Sequence, residues 1–429
     1  MKAARYVALC AVTMAVPAFA QTSEKRLSAD VSSTLGYSNN PFATTGSNTG
    51  AGFVQVDIRP QLRILRQNST LTINADANVQ QYFSRYTRSD NYSGGVDYSF
   101  IPAEHVQAHL NAGIDSSLVG STNDLANRFV TVNPIGSGAA TGTGTGTGTV
   151  GVSPISSTPI TTGTDIALFG IGARRRTING GGDVSATLSA RDVVTASAFI
   201  VNSRYSQTGA TNSPLNPTGD YTGYGGTIGY SRQVTANIQA GLQGSVSRYD
   251  YVTPGANTNV YSIQATTTGR INEYWTVNGA LGISFVNRQV GGNQTSLSGN
   301  LSLCRRGIRV VYCLSANRAV LPTGIAGTQV STSAGGSYSY RLTEHSNINA
   351  SADYSRNSTP GGLNGTVNPV GFGIGNEYLR TTVGYDRQIR QRLRLIASAN
   401  YRQIFGANLN RPSDFGGQIG VAYRLGDIR

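Results

Sequence analysis

Charged residues are scarce in this chain of 429 residues, and lysine is almost missing. Asp, Glu, Lys and Arg make up 13% of the sequence, whereas soluble globular proteins average about 25%. Lys25 is the only lysine after the first twenty residues. A chain this poor in charge, with a mean hydropathy of −0.20, does not have the composition of a large soluble protein.

Long apolar runs and catalytic signatures are also missing. After residue 20 no apolar segment is long enough for a membrane-spanning helix. No glycine-rich stretch is followed by the Lys-Ser or Lys-Thr of a phosphate loop, and no G-x-S-x-G motif accompanies His105, His109 and His345. We therefore expect no enzyme activity, no metal site and no cofactor.

The one continuous apolar stretch lies at the N-terminus. Lys2 and Arg5 precede an apolar segment over residues 6–16, and Ala18-Phe19-Ala20 has the small-x-small pattern of a cleavage site. We expect residues 1–20 to be a signal peptide and 21–429 to be the mature, exported domain.

Alternation with a period of two residues runs along nearly the whole mature sequence. A clear example is Leu393, Leu395, Ala397, Ala399 and Tyr401, which alternate with Arg394, Ile396, Ser398, Asn400 and Arg402. This period places one set of side chains on each face of a strand. The apolar set is often only Ala or Gly, which lipid tolerates but the core between two packed sheets does not.

Short and long joins between these segments alternate strictly. Counting the segments gives about eighteen strands, an even number that leaves both termini on the side of the short turns. The sequence predicts an all-β fold, a single transmembrane antiparallel up-and-down β-barrel with short periplasmic turns and long extracellular loops. Its expected location is the outer membrane of a Gram-negative cell.

The longest predicted loop covers residues 118–175. It contains the low-complexity run 142–148, which suits a mobile extracellular excursion. It also contains the apolar segment 166–171 and ends in a cluster of three consecutive arginines, the last of which follows the loop; these features suit a loop that folds inward and narrows the pore. Both alternatives stay open, and the candidate constriction residues are Arg174, Arg175 and Arg176.

Arginines on the polar face are the main candidates for contact with a solute. If the barrel is water-filled, their excess over acids indicates a weakly anion-preferring path. The alternative is cross-strand pairing with inward acids, as a solvated lining. The candidate arginines are Arg59, Arg63, Arg270, Arg288, Arg309, Arg380, Arg394 and Arg402, with Arg424 beside them. The inward acids are Asp30, Asp57, Asp76, Asp97, Asp115, Asp183, Asp353 and Asp386.

Two cysteines remain after the signal peptide, Cys304 and Cys313, and an oxidising compartment favours a disulfide between them. A tight turn at 306–307 would set Cys304 against Arg309. A wider turn centred on residues 308–309 would set the two cysteines opposite each other. We expect the second arrangement, with a purely structural role.

The formal net charge is +13, which in other settings suggests nucleic acid. An exported chain with scattered arginines does not fit that partner. We expect outer-membrane lipid, lipopolysaccharide and a polysaccharide or polar solute instead.

The sequence resembles a family of outer-membrane β-barrel porins associated with exopolysaccharide loci. The resemblance is carried by Tyr37-Ser38-Asn39-Asn40-Pro41-Phe42, the hairpins that follow and the C-terminal segment 420–425. The resemblance implies an outer-membrane conduit for exopolysaccharide export, working beside a periplasmic polysaccharide export protein. The arginine excess suggests an acidic polymer. Two alternatives are a general or sugar-selective diffusion porin and a structural or adhesive barrel that acts through its loops.

Overall fold

The chain is a closed barrel of eighteen antiparallel strands. The structure is a computed structural model and describes residues 23–44, 49–86, 88–121, 166–168, 172–207, 219–290, 292–324, 327–358, 377–405 and 412–426. The first nine strands are β1 Glu24–Ser38, β2 Ala51–Arg66, β3 Ser69–Tyr82, β4 Arg88–Ala103, β5 Val106–Leu118, β6 Ala173–Thr187, β7 Asp192–Gln207, β8 Tyr221–Gln233 and β9 Ile238–Tyr251. The other nine are β10 Thr258–Arg270, β11 Trp275–Arg288, β12 Asn293–Arg306, β13 Val310–Pro322, β14 Thr328–Thr343, β15 Ser346–Ser358, β16 Glu377–Arg390, β17 Leu393–Phe405 and β18 Asp414–Gly426.

Each strand pairs with the next in sequence, and β1 also pairs with β18, from Ser28 opposite Gly426 to Ser38 opposite Gly416. This last ladder closes the sheet, so that no strand edge is left with unpaired backbone groups. The predicted strand number and up-and-down order are confirmed. Within the described ranges, no helix is long and apolar enough to cross a membrane.

The outer surface of the barrel is apolar. Ile228, Leu242, Leu281 and Leu301 all point outward with more than half of their side-chain surface exposed. Exposed apolar side chains around a closed barrel need lipid as their surroundings, because water would make each of them unfavourable. The chain is therefore an outer-membrane barrel.

The short joins all lie at one end of the barrel and the long joins at the other. The β12–β13 join is typical of the first kind, since Gly307 donates its backbone N–H to the Val310 carbonyl across two residues. The N-terminus of β1 and the C-terminus of β18 also lie at the short-turn end. That end faces the periplasm, and the long loops are extracellular.

Candidate functional site

Inward side chains are exposed near the periplasmic end of the barrel and buried near the extracellular end. On β3, Asn74 is exposed, Asn78 keeps 5% of its surface accessible and Gln80 keeps none. On β11 the same trend runs from exposed Asn278 to Val286, which is 1% exposed. The lumen is thus an open vestibule near the periplasmic end and is narrowed by protein near the extracellular end.

Part of the filling comes from the long loop between β5 and β6. Residues Ile166–Leu168 form a 3-10 turn whose Ile166 and Leu168 side chains are each only 1% exposed. They belong to one buried apolar cluster with side chains from the barrel wall. The inward-pointing wall members of that cluster are Val201, Tyr205, Tyr221, Tyr249, Tyr251, Val260, Val286 and Tyr378.

A second loop crosses the upper lumen from the β13–β14 side. Gly219, just before β8, donates its backbone N–H to the Gly324 carbonyl at 2.8 Å. The Tyr251 hydroxyl of β9 donates to the Gly327 carbonyl and accepts from the Thr323 N–H, the latter at 3.2 Å. Because β8 and β13 are separated by four intervening strands, these bonds tie distant parts of the wall together.

Arg402 on β17 is the centre of a third set of contacts. Its guanidinium Nη2 lies 2.6 Å from Asp414 Oδ2, and the two side chains are 4% and 2% exposed. Nη2 also donates to the backbone carbonyls of Asn40 and Pro41, at 3.1 and 3.0 Å, and Nη1 donates to the Gly120 carbonyl at 3.3 Å. One buried arginine therefore holds both the β1–β2 loop and the segment that follows β5.

The segment 37–42, which carries the sequence resemblance, builds the other half of this contact. Asn40 accepts from the Thr44 N–H through its side-chain oxygen and donates to the Pro412 carbonyl through its amide. Phe42 then packs its ring 5.4 Å from Tyr82 and 4.8 Å from Tyr86. The motif residues act as an inward anchor for the first extracellular loop.

The predicted loop 118–175 needs correction at its C-terminal end. Arg174, Arg175 and Arg176 are not loop residues, because β6 already begins at Ala173. Arg175 points inward and contacts Asp115 at 3.2 Å, while Arg174 and Arg176 share the outward face. The inward-folded part of the loop is formed by Ile166 and Leu168 instead of the arginines. Burial of Ile and Leu side chains is favourable, whereas burial of unpaired guanidinium groups is not. The run 142–148 lies outside the described residues.

The predicted lumen arginines are distributed over both the periplasmic and the extracellular half of the barrel. Arg309 is the exception and needs correction, since it lies in the β12–β13 turn, outside the wall. Arg380 and Arg402 lie opposite each other on β16 and β17 in the filled upper part. The others that point inward are Arg59, Arg63, Arg270, Arg288 and Arg394.

Several of these arginines contact inward acids. Arg59 Nε lies 2.7 Å from Asp76 Oδ2, and Arg424 Nε lies 3.3 Å from Asp30 Oδ1. These contacts are of the kind that the cross-strand pairing alternative requires. Asp414 is an important inward acid that sequence reasoning did not single out. The signal was present, because Asp414 alternates with outward Phe415 at the start of β18.

The charged groups occupy only one side of the wall. Apart from arginines at strand ends, no inward residue on the described strands β7–β14 is charged. This side carries hydroxyl and amide groups that bond to each other, such as Ser245 with Ser262 at 2.6 Å and Gln264 with Ser298 at 3.1 Å. A solute in the vestibule would lie between a neutral polar wall and an ion-paired wall.

Two inward tyrosines near the extracellular end are too deeply buried to stack on a sugar ring in the lumen. Tyr82 and Tyr249 are 3% and 2% exposed. Both are packed in aromatic contacts at the top of the lumen, Tyr82 against Phe42 and Tyr249 against Tyr221. They fill the constriction instead of lining the vestibule.

Cys304 and Cys313 form a disulfide across the β12–β13 hairpin. The two residues are directly opposite each other in the ladder, and their Cα atoms are 4.1 Å apart. The turn is the wider of the two arrangements considered above, with Ile308 and Arg309 at its centre. The bridge lies on the inward face near the periplasmic end, away from the constriction.

No family model matches the sequence, and no curated protein is similar to it. Solved structures of similar fold include Pseudomonas aeruginosa OprD, with a TM-score of 0.45 and 10% identity over 94% of this chain and 95% of that one. They also include P. aeruginosa OccK2 in complex with glucuronate, with a TM-score of 0.44 and 9% identity over 94% and 98%. A third is an anion-selective porin from Comamonas acidovorans, with a TM-score of 0.36 and 10% identity over 94% and 100%. Because these TM-scores are low, the fold assignment depends on the strand pairing described above. That pairing makes the chain an eighteen-stranded outer-membrane barrel.

Proposed function

We propose that this barrel is a diffusion porin for small, polar, hydroxyl-rich solutes. The observation that carries the proposal is the combination of an open polar vestibule with an extracellular mouth narrowed by inward-folded segments. Such a shape suits selection by size and hydrogen bonding, because solutes must pass close to the side chains of the narrow part.

The narrow part is built from contacts that tie distant strands together. The Gly219–Gly324 hydrogen bond, the Tyr251 contacts and the Arg402 contacts all lie at the extracellular end. A folded constriction of this kind favours passage of single sugar-sized molecules over passage of a bulky polymer. The exopolysaccharide conduit, our first expectation from the sequence, therefore takes second place.

The charges in the lumen support only weak ion selectivity. Arg59, Arg402 and Arg424 are each within 3.5 Å of an inward acid, so three of the inward arginines are paired inside the wall. A paired guanidinium group attracts a passing anion less than a free one, since the neighbouring carboxylate cancels much of its field. We expect an anion-to-cation permeability ratio within a few-fold of unity.

Liposome swelling with sugars of increasing size tests the proposal. Purified barrels should admit monosaccharides and exclude longer oligosaccharides, and single barrels should conduct ions in planar bilayers. Absence of both swelling and conductance in correctly folded protein would contradict the proposal and leave the structural or adhesive alternative.

Equal permeation of monosaccharides and long oligosaccharides would instead support the export conduit. Deletion of the gene gives an independent readout. An export conduit requires loss of surface polysaccharide with unchanged uptake of small solutes, whereas a diffusion porin requires the reverse.

A further inference from the structure

Three arginines point out of the barrel near the extracellular ends of their strands. Each lies three residues inside the long-loop end of its strand. Each continues the outward face of exposed apolar residues on the same strand. They are Arg176 on β6 above Ile178, Arg204 on β7 above Ile200 and Arg248 on β9 above Val246.

The three arginines carry more positive charge than their neighbours neutralise. Arg176 and Arg204 are directly opposite in the β6–β7 ladder, an arrangement that is unfavourable for like charges. Asp220 contacts Arg204 at 3.2 Å and Asp250 contacts Arg248 at 2.8 Å. For Arg176 no ion pair is formed within the part of the chain that the structure describes. An anion beside this group would relieve the repulsion.

An apolar groove lies on the same outer face, directly below Arg248. It spans β7–β10, is widely open on its outer side and has a volume of about 790 Å³. Its outward apolar side chains include Ile228, Leu242, Val246 and Ile263. These side chains are exposed to lipid, so the groove opens towards the bilayer and not towards the lumen.

Glycines produce the depression. Gly244 lies between Leu242 and Val246 on β9, and Gly226 occupies a similar place on β8. A Cβ at Gly244 would meet only the Ser262 carbonyl oxygen, at 3.9 Å. The missing side chain therefore leaves real space that a lipid chain can fill and that a larger residue could occupy without a clash.

The combination of a basic rim and an apolar groove has a specific chemical partner. In the outer leaflet of this membrane, lipopolysaccharide carries phosphate groups at headgroup level and acyl chains beneath them. Arginine binds phosphate in a bidentate geometry, and Tyr224, which is opposite Arg248, is a residue type suited to the interface. A second copy of the chain would instead have to bury the arginine rim.

We propose that Arg176, Arg204 and Arg248, with the groove below them, form a binding site for one lipopolysaccharide molecule. The phosphate groups lie among the three guanidinium groups, and acyl chains lie along Ile228, Leu242 and Ile263. The inference is independent of which solute passes through the lumen.

Native mass spectrometry of the detergent-extracted barrel, titrated with a rough lipopolysaccharide, tests the site. Arg204→Ala/Arg248→Ala should weaken binding at least tenfold, and Gly244→Leu, which fills the groove, should weaken it comparably. Heat-dependent electrophoretic mobility shows whether each variant is a folded barrel.

Matched control variants are available elsewhere on the outer face. Arg318 and Arg356 point outward near the extracellular ends of β13 and β15, away from the groove. Gly417 on β18 is outward and nearly uncrowded, with the Ser398 carbonyl oxygen 3.6 Å from an added Cβ. Arg318→Ala/Arg356→Ala and Gly417→Leu should bind lipopolysaccharide like the unmodified barrel.

Three results would overturn the proposal. One is equal binding by the groove variants and the controls. Another is equally tight binding of dephosphorylated lipid A, which would remove the role of the phosphate groups, or of phosphatidylglycerol, which would remove the preference for lipopolysaccharide. The third is a dimer of barrels that Gly244→Leu abolishes, which would assign the groove to a second copy of the chain.

Discussion

Replacement of Arg402 by alanine should open the extracellular mouth. Arg402 is buried at 4% exposure, and it forms an ion pair with Asp414 and hydrogen bonds to three backbone carbonyls. In Arg402→Ala those carbonyls lose their donor, and Asp414 loses its counter-charge while remaining buried.

The size of the effect follows from the burial. Removal of one partner of a buried ion pair costs about 3–5 kcal/mol, and each factor of ten in an equilibrium corresponds to about 1.4 kcal/mol. If this loss falls on the closed arrangement of the β1–β2 loop, the open population rises by more than about a hundredfold. Single-channel recordings should therefore show a larger mean conductance and fewer closures.

Arg394→Ala is the matched control. Arg394 is on the same strand and the same face, but its side chain is 45% exposed and its recorded ion pair with Asp30 is long, at 4.0 Å. An exposed pair of this kind contributes about 0–1 kcal/mol, so mouth closures should be unchanged. Arg402→Lys should be intermediate, because lysine keeps the charge but loses the planar set of donors.

The reasoning is refuted if Arg402→Ala folds, as judged by thermal unfolding and heat-dependent mobility, yet conducts and closes like the unmodified barrel. That result would mean that the β1–β2 loop and the segment after β5 stay inward through other contacts.

Other changes test separate parts of the structure. Leu168→Asp should raise conductance without unfolding the barrel, because a charged side chain is unfavourable in the buried cluster around Tyr205 and Tyr249. Planar bilayer recordings check this, with Leu281→Ala on the outer face as the control. Gly324→Val should weaken closure of the mouth, since even a Cβ there would overlap the Tyr205 ring and Leu168, and an unchanged conductance would contradict it. Arg59→Gln should shift ion selectivity towards cations, measured as a reversal potential, because it removes the counter-charge of Asp76, which Arg59 contacts at 2.7 Å. Cys304→Ser/Cys313→Ser should lower the free energy of unfolding by about 2–3 kcal/mol at most, measured by denaturant titration, with conductance unchanged because the bridge lies below the constriction.

The strand pattern could be predicted from the sequence because it is local. Residues such as Leu393 and Arg394 differ in polarity at every step, and a strand has to place them on opposite faces. The same alternation identified Arg402 and Arg380 as inward residues. It could not show that these two are buried, because their surroundings come from loops distant in sequence.

Loop positions were the weakest part of the prediction. Arg174 and Arg175 were expected at the end of the loop 118–175, and with Arg176 they were expected to form a positive cluster at the constriction. In the structure they extend β6, where Arg174 contacts Asp90 at 2.6 Å and Arg175 contacts Asp115. Their partners on β4 and β5 are 84 and 60 residues away, and no local pattern indicates such pairs.

The sequence by itself determined the fold class, the strand number and the two faces of the barrel, because period-two polarity and turn residues act over a few residues. Tertiary structure alone decided which inward residues line open water and which fill the mouth. It also decided that Arg402 meets Asn40, Pro41 and Gly120. Those contacts exist only because closure of the sheet brings β17, β1 and β5 around one lumen, where inward-folded segments bury apolar surface that neither segment could bury alone.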